Sequence, residues 1–117
     1  MFRKKLMVKT GLNKEEFFML HPSLMILIGA FHLYAQMHNQ DSIITSLIRK
    51  DGIHADGRAV DFRSITWPKL HINRVCWQLN QKYKDIAAIG SKSGKPIACY
   101  YHKVGGGEYH FHLQVKP

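Results

Sequence analysis

Residues 54–65 read His-Ala-Asp-Gly-Arg-Ala-Val-Asp-Phe-Arg-Ser-Ile and carry the clearest structural pattern in the chain. From residue 57 onward polar and apolar side chains alternate, which predicts a strand over residues 57–65. Asp61 then lies on one face of the strand, whereas Val60 and Phe62 lie on the other. This alternation predicts a strand that is at least half buried.

His54 and Asp61 form the first candidate pair for chemistry. They are seven positions apart, so on one regular strand their side chains would face opposite ways. The Asp-Gly pair at 56–57 is a turn signal that can bring the imidazole and the carboxylate back to a common point. A buried carboxylate needs a partner: a metal ion, an ion pair with Arg58 or Arg63, or a turn-capping role.

The last predicted strand, residues 109–115, carries a second constellation. Glu108, His110 and His112 are spaced by two and therefore share one face. Adjacent same-face positions lie about 7 Å apart, so one metal can bind one imidazole while the other stands a water molecule away. The alternative is an exposed histidine ladder on an edge strand.

The two constellations together predict a Zn²⁺ site. Two imidazoles and one carboxylate are a common catalytic zinc set that leaves a fourth position for water. Hydrolysis also requires a base near that water and a positive group near the developing oxyanion. His110 or Glu108 can be the base. Arg49 can be the positive group, or alternatively a solvated charge at the end of a strand.

The remaining pattern predicts one α+β domain over residues 1–117. A mostly antiparallel central sheet carries the metal site, and two main helices pack against it. The first helix starts at Pro22 and ends near Asn39, and the second opens at Pro68. A short helix is predicted over residues 14–20, and further strands over residues 42–50, 86–89 and 96–104.

Composition restricts the class of protein and its partners. Apolar residues make up 45% of the chain, which excludes a disordered protein. The formal net charge of +9 favours a polyanionic partner: nucleic acid, an anionic cell wall or a membrane surface. Lys and Arg are spread along the chain, which makes a nucleic-acid partner the weaker interpretation. The apolar run 24–35 is too short for a membrane span.

The N-terminus indicates where the protein is made. The basic start of the chain is followed by a polar segment over residues 11–16, so no signal peptide is predicted and synthesis in the cytoplasm is expected.

Cys76 and Cys99 are interpreted as two separate buried thiols, with a single bridge as the alternative.

The combined motif resembles the zinc peptidases of the D-alanyl-D-alanine carboxypeptidase and murein endopeptidase group. The matching pattern is His-x-x-Gly-x-Ala-x-Asp followed late in the chain by His-x-His, here His54, Gly57, Ala59, Asp61, His110 and His112. The family's Ser-Gly-Tyr-Arg element is similar to residues 46–49, Ser-Leu-Ile-Arg, with only its ends kept. The likeness extends from about residue 20 to the C-terminus.

The resemblance implies zinc ligands at His54, Asp61 and His112. It implies that His110 is a non-ligand histidine that assists proton transfer or steadies the tetrahedral intermediate. It also implies that Arg49 holds substrate or the oxyanion, and that helices pack on one side of a central antiparallel sheet.

Two positions depart from the family pattern. Gly52 stands where a Ser usually precedes the first metal histidine. Many members place a catalytic carboxylate three residues before the last ligand, where this chain has Tyr109 and the nearest carboxylate is Glu108. The identity of the base therefore stays open between His110 and Glu108.

The expected function is hydrolysis of a peptide bond in bacterial peptidoglycan, with the anionic cell wall as the partner. A small lytic enzyme of this kind resembles those that bacteriophages carry for entry or lysis. The alternatives are a catalytically silent zinc-containing binding or structural protein of the same fold, and a basic nucleic-acid-binding protein.

Overall fold

A mixed five-stranded sheet forms the centre of the molecule, in the strand order β1-β2-β3-β7-β6. The computed structural model describes residues 4–48, 52–103 and 107–117. The strands of this sheet are β1 (Leu6–Val8), β2 (Ser42–Ser46), β3 (Ala59–Arg63), β6 (Cys99–Lys103) and β7 (Tyr109–Gln114). A separate ribbon pairs β4 (Ala88–Ile89) with β5 (Pro96–Ile97). The α+β class predicted from the sequence is therefore confirmed.

The two predicted main helices are present. Helix α1 spans Pro22–Met37, and α3 spans Lys69–Lys82. Pro22 occupies the first turn of α1, where its missing N–H costs no hydrogen bond. Asn39, just past the end of α1, has a φ of 55°, which is incompatible with a continuing helix. The short predicted helix is also present, as a 3₁₀ helix over Lys14–Met19.

The hydrophobic core lies between one face of the sheet and helices α1 and α3. Phe31 of α1 packs against Phe62 of β3 and Phe111 of β7, with ring centroids 4.2 and 5.0 Å apart. Trp67, which precedes α3, packs on Phe111 at 4.7 Å. Because strand side chains alternate, Asp61 and His112 lie on the opposite face of the sheet, away from this aromatic cluster.

Four elements differ from the sequence prediction. Strand β1 was not predicted, and it pairs with β2 in parallel; the other three pairings are antiparallel, so the sheet is mixed but mostly antiparallel, as predicted. The predicted strand 42–50 ends at Ser46, and its last residues lie outside the described part of the chain. The strand predicted over residues 86–89 is confined to Ala88–Ile89, because residues 84–86 form a turn and Ala87 makes an isolated bridge with Val115. The strand predicted over residues 96–104 is divided at Ala98 into β5 and β6.

The side chain of Asn80 accounts for this last division. It accepts hydrogen bonds from the backbone N–H groups of Ala98 and Cys99, at 2.7 and 2.9 Å, and donates to the Cys99 carbonyl at 2.8 Å. These bonds take the backbone groups that a continuous strand would offer to a neighbour. Helix α3 is thereby tied to the start of β6.

The two cysteines are free thiols, but they are neighbours rather than separate. Cys76 Sγ of α3 lies 3.5 Å from Cys99 Sγ of β6. Burial raises the pKa of the Cys99 thiol well above its ordinary value, and contact with Cys76 raises it further. Both sulfurs therefore contribute to packing between α3 and the sheet.

No helix within residues 4–48, 52–103 and 107–117 has the length and apolar content needed to cross a membrane.

Candidate metal centre

Three buried side chains meet on the sheet face opposite the core: His54, Asp61 and His112. Each offers a ligand atom, and these atoms all lie within 4.8 Å of one another. Asp61 and His112 are direct neighbours in the pairing of β3 with β7. His54 comes from α2 (Gly52–Ala55), a single helical turn that was not predicted from the sequence. Together the three residues can hold a metal ion.

The turn at residues 56–57 brings His54 to Asp61, as its Asp-Gly sequence predicted. Gly57 has a φ of +69°, a left-handed conformation that a residue with a Cβ adopts at a cost. A Cβ there would also lie 2.8 Å from the carbonyl oxygen of Met19. Because the Gly57 carbonyl accepts a hydrogen bond from His21 N–H at 2.8 Å, the turn is also joined to the start of α1.

A backbone hydrogen bond sets the orientation of His54. Its Nδ1–H donates to the Leu47 carbonyl at 2.9 Å, which leaves the lone pair on Nε2. Nε2 is buried, makes no hydrogen bond to the described residues, and lies 3.6 Å from Asp61 Oδ1. A buried nitrogen acceptor without a donor is costly unless a cation meets it, so this arrangement fits a metal ligand.

Gln114 sets the orientation of His112. The Gln114 amide donates from Nε2 to the Ile97 carbonyl at 2.9 Å, so its Oε1 faces His112 and accepts from Nε2–H at 3.0 Å. His112 Nδ1 then points at Asp61 Oδ1, 2.9 Å away. A lone pair facing a carboxylate oxygen at this distance is repulsive unless a proton or a metal ion lies between them. The site can therefore hold a cation.

Asp61 is ionised in this environment. Burial by itself raises the pKa of its carboxyl group, but when protons rather than a metal ion lie between the carboxylate and the imidazoles, the hydrogen bond from His112, the contact with His54 and the accompanying positive charge outweigh burial. The net pKa lies well below the ordinary value for aspartate. Neither Arg58 nor Arg63 forms an ion pair with Asp61 within the described ranges; Arg58 pairs instead with Asp56 at 3.3 Å.

Glu108 and His110 precede His112 along the chain on the same face, but the cavity that they line includes none of the three candidate ligands. His110 is the next same-face residue before His112 on β7, and its Nδ1–H donates to the Glu108 carbonyl at 3.0 Å. Both side chains line a cavity of about 370 Å³ with Arg63 and Thr45. The structure therefore brings the two candidate bases to one cavity. Arg49, the third candidate catalytic residue, lies outside the described residues.

Three site residues were not predicted: Gln114, Tyr100 and His102. The Tyr100 ring lies 4.6 Å from the His112 ring, and the His102 ring lies 5.4 Å from it, measured between centroids. The spacing signal for Gln114 was present, because it is the next same-face residue after His112. The other two come from β6, whose pairing with β7 is not readable from local sequence.

No family model, curated protein or solved structure matches the chain.

Proposed function

We propose that the protein is a zinc-dependent peptidase that hydrolyses a peptide bond in bacterial peptidoglycan. The observation that supports this most directly is the buried group of His54, Asp61 and His112, with the Nε2 and Nδ1 atoms of the two imidazoles directed at the Asp61 carboxylate. Two nitrogens and one carboxylate suit Zn²⁺ and leave one coordination position for water. Bound zinc would acidify that water and polarise the scissile carbonyl.

The residues beside the metal supply the proton chemistry of the proposed reaction. With Nδ1–H engaged by the Glu108 carbonyl, a neutral His110 carries its lone pair on Nε2, where it can take a proton. The exposed Glu108 carboxylate, in the same cavity, is the alternative base. The positive charge of Arg63 in that cavity favours a developing oxyanion, alongside the role proposed for Arg49.

Two features support peptidoglycan as the proposed substrate: the motif resemblance and the net charge of the chain. His54, Gly57, Ala59, Asp61, His110 and His112 keep the residue types, order and spacing of the murein peptidase pattern. A net charge of +9 suits an anionic wall, where it raises the local concentration of enzyme at its substrate. The proposed site of action is therefore the cell wall.

Metal content tests the site directly. We expect about one zinc per chain in the wild type, and loss of that zinc in His54→Ala and His112→Ala. His38→Ala, which removes an exposed histidine outside the metal centre, is the matched control and should keep its zinc. Wild-type protein that takes up no zinc, even when zinc is added, would rule out the mechanism.

Cleavage of purified peptidoglycan then tests the reaction. We expect His110→Ala to keep its zinc and to lose about 10²- to 10⁴-fold in rate, the usual contribution of a general acid or base. Glu108→Gln in the same assay distinguishes the two candidate bases, because only removal of the true base lowers the rate to that extent.

A second candidate is a zinc-containing binding protein without hydrolytic activity. Tyr109 stands at the position where many family members carry a catalytic carboxylate, and it stacks on Tyr101 at 4.9 Å instead of joining His110 and His112 on the metal face. Full zinc occupancy without cleavage of any peptidoglycan preparation would favour this candidate.

A further inference from the structure

A second cavity, of about 550 Å³, lies next to the metal centre and shares no lining residue with the one that Glu108 and His110 line. Its wall includes Ile53, which precedes His54, and Gln114, which holds His112. Tyr100, whose ring packs on His112, also lines it. A molecule bound in this cavity would therefore contact residues that adjoin the candidate metal ligands His54 and His112.

The outer wall of the cavity is the turn between β4 and β5, residues 90–95, which we call the hairpin loop. The loop is held by its own backbone: Gly90 N–H donates to the Lys95 carbonyl, and Gly94 N–H donates to the Gly90 carbonyl, both at 2.9 Å. Lys95 N–H also donates to Ser93 Oγ at 3.2 Å. A Cβ on Gly90 would lie 2.8 Å from Ser93 Oγ, so the loop closes tightly on itself. The cavity wall is thus preformed.

The chemistry of the lining is one-sided in charge. The hairpin loop contributes the Lys92 ammonium group and the hydroxyl groups of Ser91 and Ser93. None of the described residues that line the cavity is acidic. Isoleucine side chains at positions 53, 89 and 97 form the apolar part of the wall, and Tyr100, His102 and Gln114 complete it. An ammonium group with neighbouring hydroxyls recognises a carboxylate, and the apolar wall suits the methylene or methyl groups that carry it.

We infer that this cavity binds a carboxylate-bearing side chain or terminus of the substrate peptide, with Lys92 as the group that pairs with the carboxylate. The inference depends on the proposed function for the identity of the peptide. It goes beyond that function by assigning the hairpin loop to substrate selection. In a peptide bound across the metal centre, the acidic group would lie under the hairpin loop. The residue on the other side of the scissile bond would lie toward His110.

The test compares two probes on zinc-loaded protein, the stem pentapeptide L-Ala-γ-D-Glu-diaminopimelate-D-Ala-D-Ala and the same peptide with every carboxylate amidated. Binding is measured by calorimetry or by NMR titration, and cleavage by chromatography. We expect the acidic peptide to bind more tightly, and Lys92→Ala to weaken its binding about 3- to 5-fold, the upper range for one exposed ion pair, while leaving the amidated peptide unchanged. Zinc content should stay at the wild-type value.

Lys95→Ala is the matched control, because it removes the same charge from the same loop without touching the cavity lining. It should change binding of the acidic peptide less than about 2-fold, since an exposed charge that does not line the cavity is screened by solvent. Equal losses in Lys92→Ala and Lys95→Ala would overturn the inference, because they would indicate a general charge effect. Equal binding of the two probes by the wild type would overturn it as well.

Failure of the inference and failure of the proposed function can be told apart. If the wild type cleaves the acidic peptide but Lys92→Ala behaves as wild type, the function stands and the carboxylate site is wrong. If neither peptide is cleaved but Lys92→Ala still removes the preference for the acidic one, the site stands and the peptidase function is wrong.

Discussion

Gln114 determines which nitrogen of His112 faces the metal centre. Its amide is fixed by the Ile97 carbonyl, so Oε1 can only accept from His112 Nε2–H, and Nδ1 is left as the ligand atom. We expect Gln114→Met, which keeps the volume but removes both hydrogen bonds, to weaken zinc binding about 10- to 100-fold. Competition with a chelator of known affinity measures the change. Gln78→Met, on the exposed side of α3, is the control and should bind zinc as the wild type does.

Asp61 makes the metal-free protein sensitive to acid. Its folded-state pKa lies below the unfolded value of about 3.9, so its contribution to stability is complete above that value and is lost as the pH falls toward the folded-state pKa. We expect the free energy of unfolding of chelator-treated protein to fall between about pH 5 and about pH 3. Urea unfolding should show a smaller fall in Asp61→Asn. The same change at exposed Asp85 should leave the wild-type dependence intact.

The turn between α2 and β3 depends on one glycine. Gly57 and Gly94 both have a φ of +69°, but only at Gly57 would a Cβ meet neighbouring backbone, 2.8 Å from Met19 O. We expect Gly94→Ala to cost about 1 kcal/mol from backbone conformation alone, and Gly57→Ala to cost about 3 kcal/mol because the clash is added. Urea unfolding measures both. Equal costs would mean that contact with Met19 is not what requires glycine at position 57.

Strand β3 shows what could be read from the sequence at the level of elements. Alternation over residues 57–65 predicted the strand, and the Asp-Gly pair predicted the turn before it, because both signals are local. The three residues of β1 are too few to show a period, so that strand was missed. The division at Ala98 was missed for a different reason: it depends on Asn80, which is 18 positions away in the chain.

At the scale of the whole molecule, the sequence predicted the α+β class and the three candidate ligands but not the neighbours of those ligands. Asp61 and His112 are 51 positions apart. Only the usual composition of zinc sites and the motif resemblance predicted that these two residues lie in one site. Gln114, Tyr100 and the cavity under the hairpin loop require the pairing of β6 with β7 and the position of the β4–β5 ribbon. Long-range pairing of this kind leaves little local signal.

We expect zinc to stabilise the fold but not to be required for folding. The core cluster of α1, α3 and the inner sheet face contains none of the three candidate ligands, so we expect the metal-free protein to unfold cooperatively. The three candidate ligands come together only where α2, β3 and β7 are assembled, so zinc bound there would add about 4 kcal/mol to the free energy of unfolding at roughly 1,000 times its dissociation constant. Urea unfolding with and without zinc measures this difference. In His54→Ala the addition of zinc should leave the unfolding midpoint unchanged, and an equal gain in that variant would mean that the stabilising ion binds elsewhere.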